Sequence, residues 1–111
     1  MEESPLFVRT HDFLLWLLPQ AQKFPRTYRF TLSERIQRKA MDFQDLIVSA
    51  GKSQGGERRA HLKQADVALE QLRFWLRFAR ELDLLTIGQY EHAARMLVEV
   101  GRLLGGWIKQ A

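Results

Sequence analysis

The feature that most constrains this chain is a spacing of three or four residues between apolar positions, repeated through most of its length. This is the period of an α-helix, and no segment alternates apolar and polar residues as a half-buried strand does. The second repeat is Leu32, Ile36, Ala40, Phe43, Ile47 and Ala50; the third is Leu62, Ala65, Leu69, Leu72, Leu76 and Ala79; the fourth is Ile87, Tyr90, Ala94, Leu97, Gly101, Leu104 and Ile108. The pattern predicts an all-α chain.

The ends of the helices are indicated by capping residues. Ser4 before Pro5 favours a helix start, since serine caps a helix and proline suits its first turn. Thr31 with Glu34, and Thr86 with Gln89, have the spacing of capping boxes. Pro19 is expected either to kink the first helix or to end its regular part. The predicted helices cover about 5–23, 31–51, 57–84 and 87–110.

A chain of 111 residues is expected to form one domain. Four helices of similar length with short connections predict an antiparallel up-down four-helix bundle. The segments 24–30 and 52–56 are expected to be loops, the second because it is polar and rich in glycine.

Residues with catalytic or metal-binding chemistry do not form any recognisable set. The chain has no cysteine, and its three histidines lie on three different predicted helices. Gly51-Lys52-Ser53 resembles the end of a phosphate-binding loop, but the earlier glycine and the strand that such a loop needs are absent. We expect a protein that is not an enzyme and binds neither a metal nor another cofactor.

The charge and the hydropathy of the chain restrict the kinds of partner that it is expected to bind. The net charge of +4 permits an acidic partner such as nucleic acid. The chain starts with the acidic pair Glu2 and Glu3, and its apolar run from Phe13 to Leu18 is too short to cross a bilayer. We therefore expect a cytoplasmic protein without a membrane partner.

The third helix is apolar over more of its surface than an isolated bundle requires. Besides its core repeat it carries Val67, Phe74, Trp75, Phe78 and Leu82 on another part of its circumference. Either the core contact is unusually wide or this face is a subunit interface. We favour the interface, because large aromatic patches rarely face water.

A row of arginines runs along the charged face of the same helix, at Arg73, Arg77 and Arg80. One interpretation is internal: the row complements the helix dipole and permits ion pairs with Glu70 and Glu81. The other is functional, because guanidinium groups suit phosphates and acidic side chains. The pattern alone does not separate the two.

Glycines near the end of the fourth helix also call for an explanation. Gly101, Gly105 and Gly106 each cost about 1 kcal/mol relative to alanine inside a helix. This cost indicates that a neighbouring group packs closely against that part of the helix.

Three segments carry a family resemblance: residues 50–53 (AGKS), 72–78 (LRFWLRF) and 98–108 (VEVGRLLGGWI). They resemble the Avd family, the accessory variability determinants of diversity-generating retroelements. The wider group includes four-helix bundle proteins encoded by ribosomal RNA intervening sequences. The similarity is close from Ala50 onward and looser before it, where 17–19 (LLP) and 24–26 (FPR) are the main matches.

The resemblance implies a four-helix protomer in a ring-like homopentamer that binds the element's reverse transcriptase and RNA or DNA. It assigns Arg73 and Arg77 to the surface facing the polymerase or the RNA. Further candidates for this contact are Arg80, Lys23, Arg26 and Arg29, and the candidate oligomer interface is Phe74, Trp75, Phe78 and Trp107. The alternative is an oligomeric protein–protein scaffold that docks an acidic partner and does not bind nucleic acid.

Overall fold

Four helices account for most of residues 4–111, the part of the chain that the computed structural model describes. They are α1 (Pro5–Gln22), α2 (Glu34–Gly51), α3 (Gly55–Glu81) and α4 (Ile87–Gln110). A 3-10 turn at Arg26–Tyr28 and a π-helical turn at Arg29–Ser33 lie between α1 and α2. No strand occurs in this range, so the all-α prediction is confirmed. The acidic pair Glu2 and Glu3 lies outside it.

The helices pack side by side as a bundle. The molecule measures 43 × 24 × 23 Å, and the 27 residues of α3 span about 40 Å at 1.5 Å per residue. Each helix therefore runs along the long axis, and the short connections make consecutive helices antiparallel. α1 contacts both α2 and α4, while the most extensive contact is between α2 and α3. This is the predicted up-down four-helix bundle.

The core follows the predicted apolar repeats in α2 and α3, where every predicted position is buried. In α4 the prediction is partly wrong. Leu97 and Leu104 are buried, but Ala93 and Val100 occupy the core positions assigned to Ala94 and Gly101. Ala93 and Val100 keep the same spacing of three and four residues with Leu97 and Leu104, and the larger Val100 fills the core better than glycine.

The connection from α1 to α2 is more ordered than a loop. α1 continues through Pro19 to Gln22, and the two turns then lead directly into α2. The capping box predicted at Thr31 does not form, because Thr31 lies inside the π-helical turn and the carboxylate of Glu34 instead accepts a hydrogen bond from Arg38. The Ser33 hydroxyl donates to the Ala21 carbonyl (2.7 Å) and fixes the turn against α1.

Helix α3 begins and ends two to three residues earlier than predicted. Gly55 has a φ of 59°, which glycine adopts without strain, and this lets α3 begin within the glycine pair. At its other end Asp83 has a φ of 60°, and the amides of Asp83 and Leu84 donate to the carbonyls of Arg80 and Ala79. This Schellman arrangement ends α3 before residue 84.

Helix α4 has the capping box that its sequence predicts. The Thr86 hydroxyl accepts from the Gln89 amide (3.0 Å), and the Gln89 side chain accepts from the Thr86 amide (2.9 Å). Two free amides at the start of α4 are thereby satisfied.

Candidate nucleic-acid interface

A groove of about 840 Å³ is formed by the connection between α1 and α2 and by the first turns of α2. The 3-10 turn places Arg26 in this groove and the π-helical turn places Arg29 and Phe30 there. Arg38 reaches the same groove from α2. Arg26 and Arg29, both predicted as binding residues, are therefore brought together on one exposed surface.

A second groove of about 520 Å³ lies between the beginning of α2 and the end of α3. Its basic side chains, Arg35, Arg38 and Lys39, come from α2. Its apolar wall includes Trp75 and Phe78 of α3 and Leu82, which directly follows α3; Phe30 is shared with the first groove. We call the two grooves together the basic end, defined by Arg26, Arg29, Arg35, Arg38 and Lys39.

The charge of the basic end is nearly uncompensated. Glu34 is the only acidic residue in the lining of either groove, and its carboxylate lies 2.7 Å from the Arg38 guanidinium. That hydrogen bond raises the pKa of Arg38 above its ordinary value. Within residues 4–111 no carboxylate lies within 4.0 Å of the basic groups of Arg26, Arg29 or Arg35.

The aromatic residues of the LRFWLRF segment form a cluster beside the second groove. The rings of Phe74 and Trp75 meet edge to face at 4.9 Å, and Phe78 lies 5.7 Å from Trp75. Guanidinium groups cover two of these rings: Arg35 lies 5.7 Å from the Trp75 ring and Arg77 lies 5.8 Å from the Phe74 ring. Arg77 thus lies on the exposed side of α3, next to the cluster.

An exposed apolar stripe extends this cluster along α3. Val67, Phe74, Phe78 and Leu82 are each 40–49% exposed, which excludes the alternative of a core contact wide enough to bury them within the chain. The stripe faces outward, as a subunit interface requires.

Arg73 has a different environment. Its guanidinium donates to the Leu97 carbonyl of α4 (3.1 Å) and lies 3.6 Å from the Glu70 carboxylate. It packs directly over Gly101, where the space for a side chain is taken by the guanidinium. Arg73 therefore joins α3 to α4, which explains one of the three glycines. Arg80, about two helical turns further along α3, is half-buried.

The other predicted residues lie apart from the basic end or at its margin. Lys23 is exposed at the end of α1 but lines neither groove. Trp107 lies at the opposite end of the bundle, 6.2 Å from Phe7 and 5.7 Å from the Arg58 guanidinium. A side chain added at Gly105 or Gly106 would have open space around its Cβ to 4 Å, so the close packing expected there is absent within the described chain.

Sequence reasoning did not single out Phe30, Arg35, Arg38 or Lys39. The three basic residues have the spacing of an ordinary solvent-facing helix stripe, and only the fold brings them next to α3. A signal for Phe30 was present, since it stands next to Arg29 and sites for single-stranded nucleic acid combine basic with aromatic side chains.

Residues 4–111 contain neither a candidate metal site nor a candidate membrane span. No three histidine or acidic side chains lie close enough to hold a metal ion. None of the four helices combines the length and the apolar composition needed to cross a membrane.

The fold is shared with a crystal structure of a protein with unknown function from the S23 ribosomal protein family of Bacteroides thetaiotaomicron VPI-5482. The two superpose with a TM-score of 0.85, covering 94% of this chain and 95% of that chain, at 20% sequence identity. At this identity the likeness shows the fold alone. No curated protein matches the chain. The bAvd-like family model matches residues 6–111, nearly the whole sequence, and the chain belongs to the bAvd-like family.

Proposed function

We propose that this chain is a non-catalytic, cytoplasmic accessory protein of a diversity-generating retroelement. In this role it binds the element's reverse transcriptase and nucleic acid through its basic end and supports mutagenic cDNA synthesis. Family membership over residues 6–111 supports the accessory role. The observation that carries the binding role is the pair of grooves with five basic side chains and one acidic side chain, itself paired with Arg38.

The chemistry of the basic end fits a phosphate backbone. Arg26, Arg29 and Arg35 present guanidinium groups that no carboxylate of the described chain neutralises, and guanidinium donors match phosphate oxygens in geometry. Each phosphate that they neutralise releases condensed counterions, so affinity falls as salt rises. The accessory protein would hold the RNA or cDNA, and the polymerase would perform the reaction.

A ring-like homopentamer is the second part of the proposal. Each contact in such a ring joins two different patches, one from each neighbouring protomer. The exposed stripe of Phe74 and Phe78, together with Trp75 beside it, is one candidate patch. The surface around Trp107, where Gly106 is free of neighbours, is the other. The two patches lie at opposite ends of the protomer, as a head-to-tail contact permits.

Charge reversal at the basic end tests the binding role. Arg26→Glu with Arg29→Glu should weaken co-purification with the reverse transcriptase and reduce the mobility shift of a structured RNA at low salt. Both residues are exposed, so the helicity measured by circular dichroism should not change. The matched control is Lys52→Glu with Lys109→Glu, an equal charge change at exposed positions of the opposite end. Equal loss in both variants, or no loss in the first, would contradict the assignment.

The scaffold alternative is favoured by one observation, the exposed aromatic stripe beside the basic end. A scaffold would dock an acidic protein partner and would not bind nucleic acid. Structured RNA and duplex DNA titrated at low salt separate the two functions, because the scaffold predicts no saturable binding of either.

A further inference from the structure

Phe30 is the most exposed large apolar side chain of residues 4–111, with 77% of its surface open to solvent. It is nevertheless held on an ordered segment. Leu32 and Ser33, two and three residues further along the chain, are buried. The Ser33 hydroxyl is hydrogen-bonded to the Ala21 carbonyl near the end of α1. The π-helical turn therefore fixes the backbone of Phe30 and directs its ring outward.

Basic groups lie on both sides of this ring. Phe30 is in the lining of both grooves, as are Glu34 and Arg38. Arg26 lines only the first groove, and Arg35 and Lys39 line only the second. The Arg29 guanidinium lies 5.7 Å from the centre of the ring. The sequence of groups across the surface is thus cation, aromatic ring, cation.

We propose that Phe30 stacks on a base of single-stranded nucleic acid whose backbone runs from the first groove to the second. This inference rests on the proposed function and specifies its ligand. A strand presents phosphates and flat bases in alternation, which matches the alternation of cations and ring on the protein. In a duplex the bases are already stacked on one another, so the ring has no base face to contact. An acidic peptide offers negative charge but no recurring flat ring for Phe30.

Fluorescence anisotropy with two labelled oligomers tests this inference. Each oligomer has about 12 nucleotides, a length within the usual range for single-strand sites. One oligomer is oligo(dT); the other has the same phosphates but abasic sugars. The proteins are wild type, Phe30→Ala, Phe30→Trp and the control Leu15→Ala, which removes an apolar side chain of similar exposure from the outer face of α1.

Phe30→Ala should weaken oligo(dT) binding about fivefold or more, the range expected for loss of one stacked base. It should leave binding of the abasic oligomer unchanged. Phe30→Trp should retain the wild-type preference for oligo(dT), and Leu15→Ala should resemble wild type with both oligomers.

Three results for Phe30→Ala would overturn the stacking role. They are an unchanged affinity for oligo(dT), an equal weakening of binding to both oligomers, or loss of binding to the reverse transcriptase while the affinity for oligo(dT) is unchanged. The last would make Phe30 a protein anchor. If Phe30→Ala has no effect while the Arg26 and Arg29 double variant weakens binding, only this inference fails. If wild type binds neither oligomer nor structured RNA, the nucleic-acid part of the proposed function fails as well.

Discussion

Arg73 lies across the backbone of α4, with its guanidinium over Gly101 and a hydrogen bond to the Leu97 carbonyl. A side chain at residue 101 would displace that guanidinium. The same arginine therefore accounts for Gly101, while Gly106 has open space around it. Arg73, selected from the sequence as a binding candidate, is thus held by a hydrogen bond between helices, whereas the Arg77 guanidinium lies only over the Phe74 ring of its own helix.

This contact predicts different effects for two glycine substitutions. Gly106→Ala should stabilise α4 by up to about 1 kcal/mol, the usual difference between glycine and alanine in a helix. Gly101→Ala should gain less, because it also loses the Arg73 hydrogen bond, worth about 0.5–1.5 kcal/mol. Urea unfolding at one protein concentration measures both. In an Arg73→Ala background, Gly101→Ala should recover the missing gain; the same gain with and without Arg73 would contradict the contact.

At the scale of the helices, two threonines with the same sequence signature have different structures. Thr86 forms a complete capping box with Gln89, whereas Thr31 lies inside a π-helical turn that continues into α2. The difference arises because the chain before Thr31 is already helical, so no free helix end exists there to cap.

Alanine substitution at these two positions tests that difference. Thr86→Ala should lower the free energy of unfolding by about 1 kcal/mol, the typical value for a helix cap. Thr31→Ala should stay within about 0.5 kcal/mol of wild type, as an exposed residue without a cap does. The measurement is urea denaturation followed by the circular dichroism of the helices at 222 nm. A loss at Thr31 equal to that at Thr86 would show that both caps form.

Much of the helical architecture could be predicted because each helix buries one face, and the apolar repeats of α2 and α3 record that face directly. Two positions of the α4 repeat were off by one residue, because Ala93 and Val100 fit the spacing as well as Ala94 and Gly101 do. The site was less predictable. The partners of Arg73 and Lys39 are 24 and 32 residues away in sequence, at Leu97 and Gln71, and local spacing carries no information about contacts of that range.

For the whole molecule, the exposed stripe on α3 and the open surface near Trp107 predict self-association. Static light scattering should give a mass five times the 13.0 kDa of the chain. Phe74→Glu should reduce it toward the mass of the protomer, because the charge cannot be buried in an apolar contact without a partner. The helix content should persist, since Phe74 is 46% exposed in the protomer. A wild-type protein that is monomeric at micromolar concentration would contradict the ring.

The basic end is the second feature that depends on the whole molecule and not on one helix. It combines five cations from the 3-10 turn, the π-helical turn and α2 with only one acid in the groove linings. Its effect on binding is electrostatic, so it acts on every phosphate within reach and should depend strongly on ionic strength.

The most direct test of the account is the salt dependence of the affinity for single-stranded RNA, measured by anisotropy for wild type and for Arg26→Glu with Arg29→Glu. The logarithm of the binding constant should fall linearly with the logarithm of salt concentration, and loss of two phosphate contacts should reduce the slope by about 1.4. The control Lys52→Glu with Lys109→Glu should keep the wild-type slope. Identical slopes for wild type and the Arg26 and Arg29 variant would show that the basic end does not contact the RNA backbone.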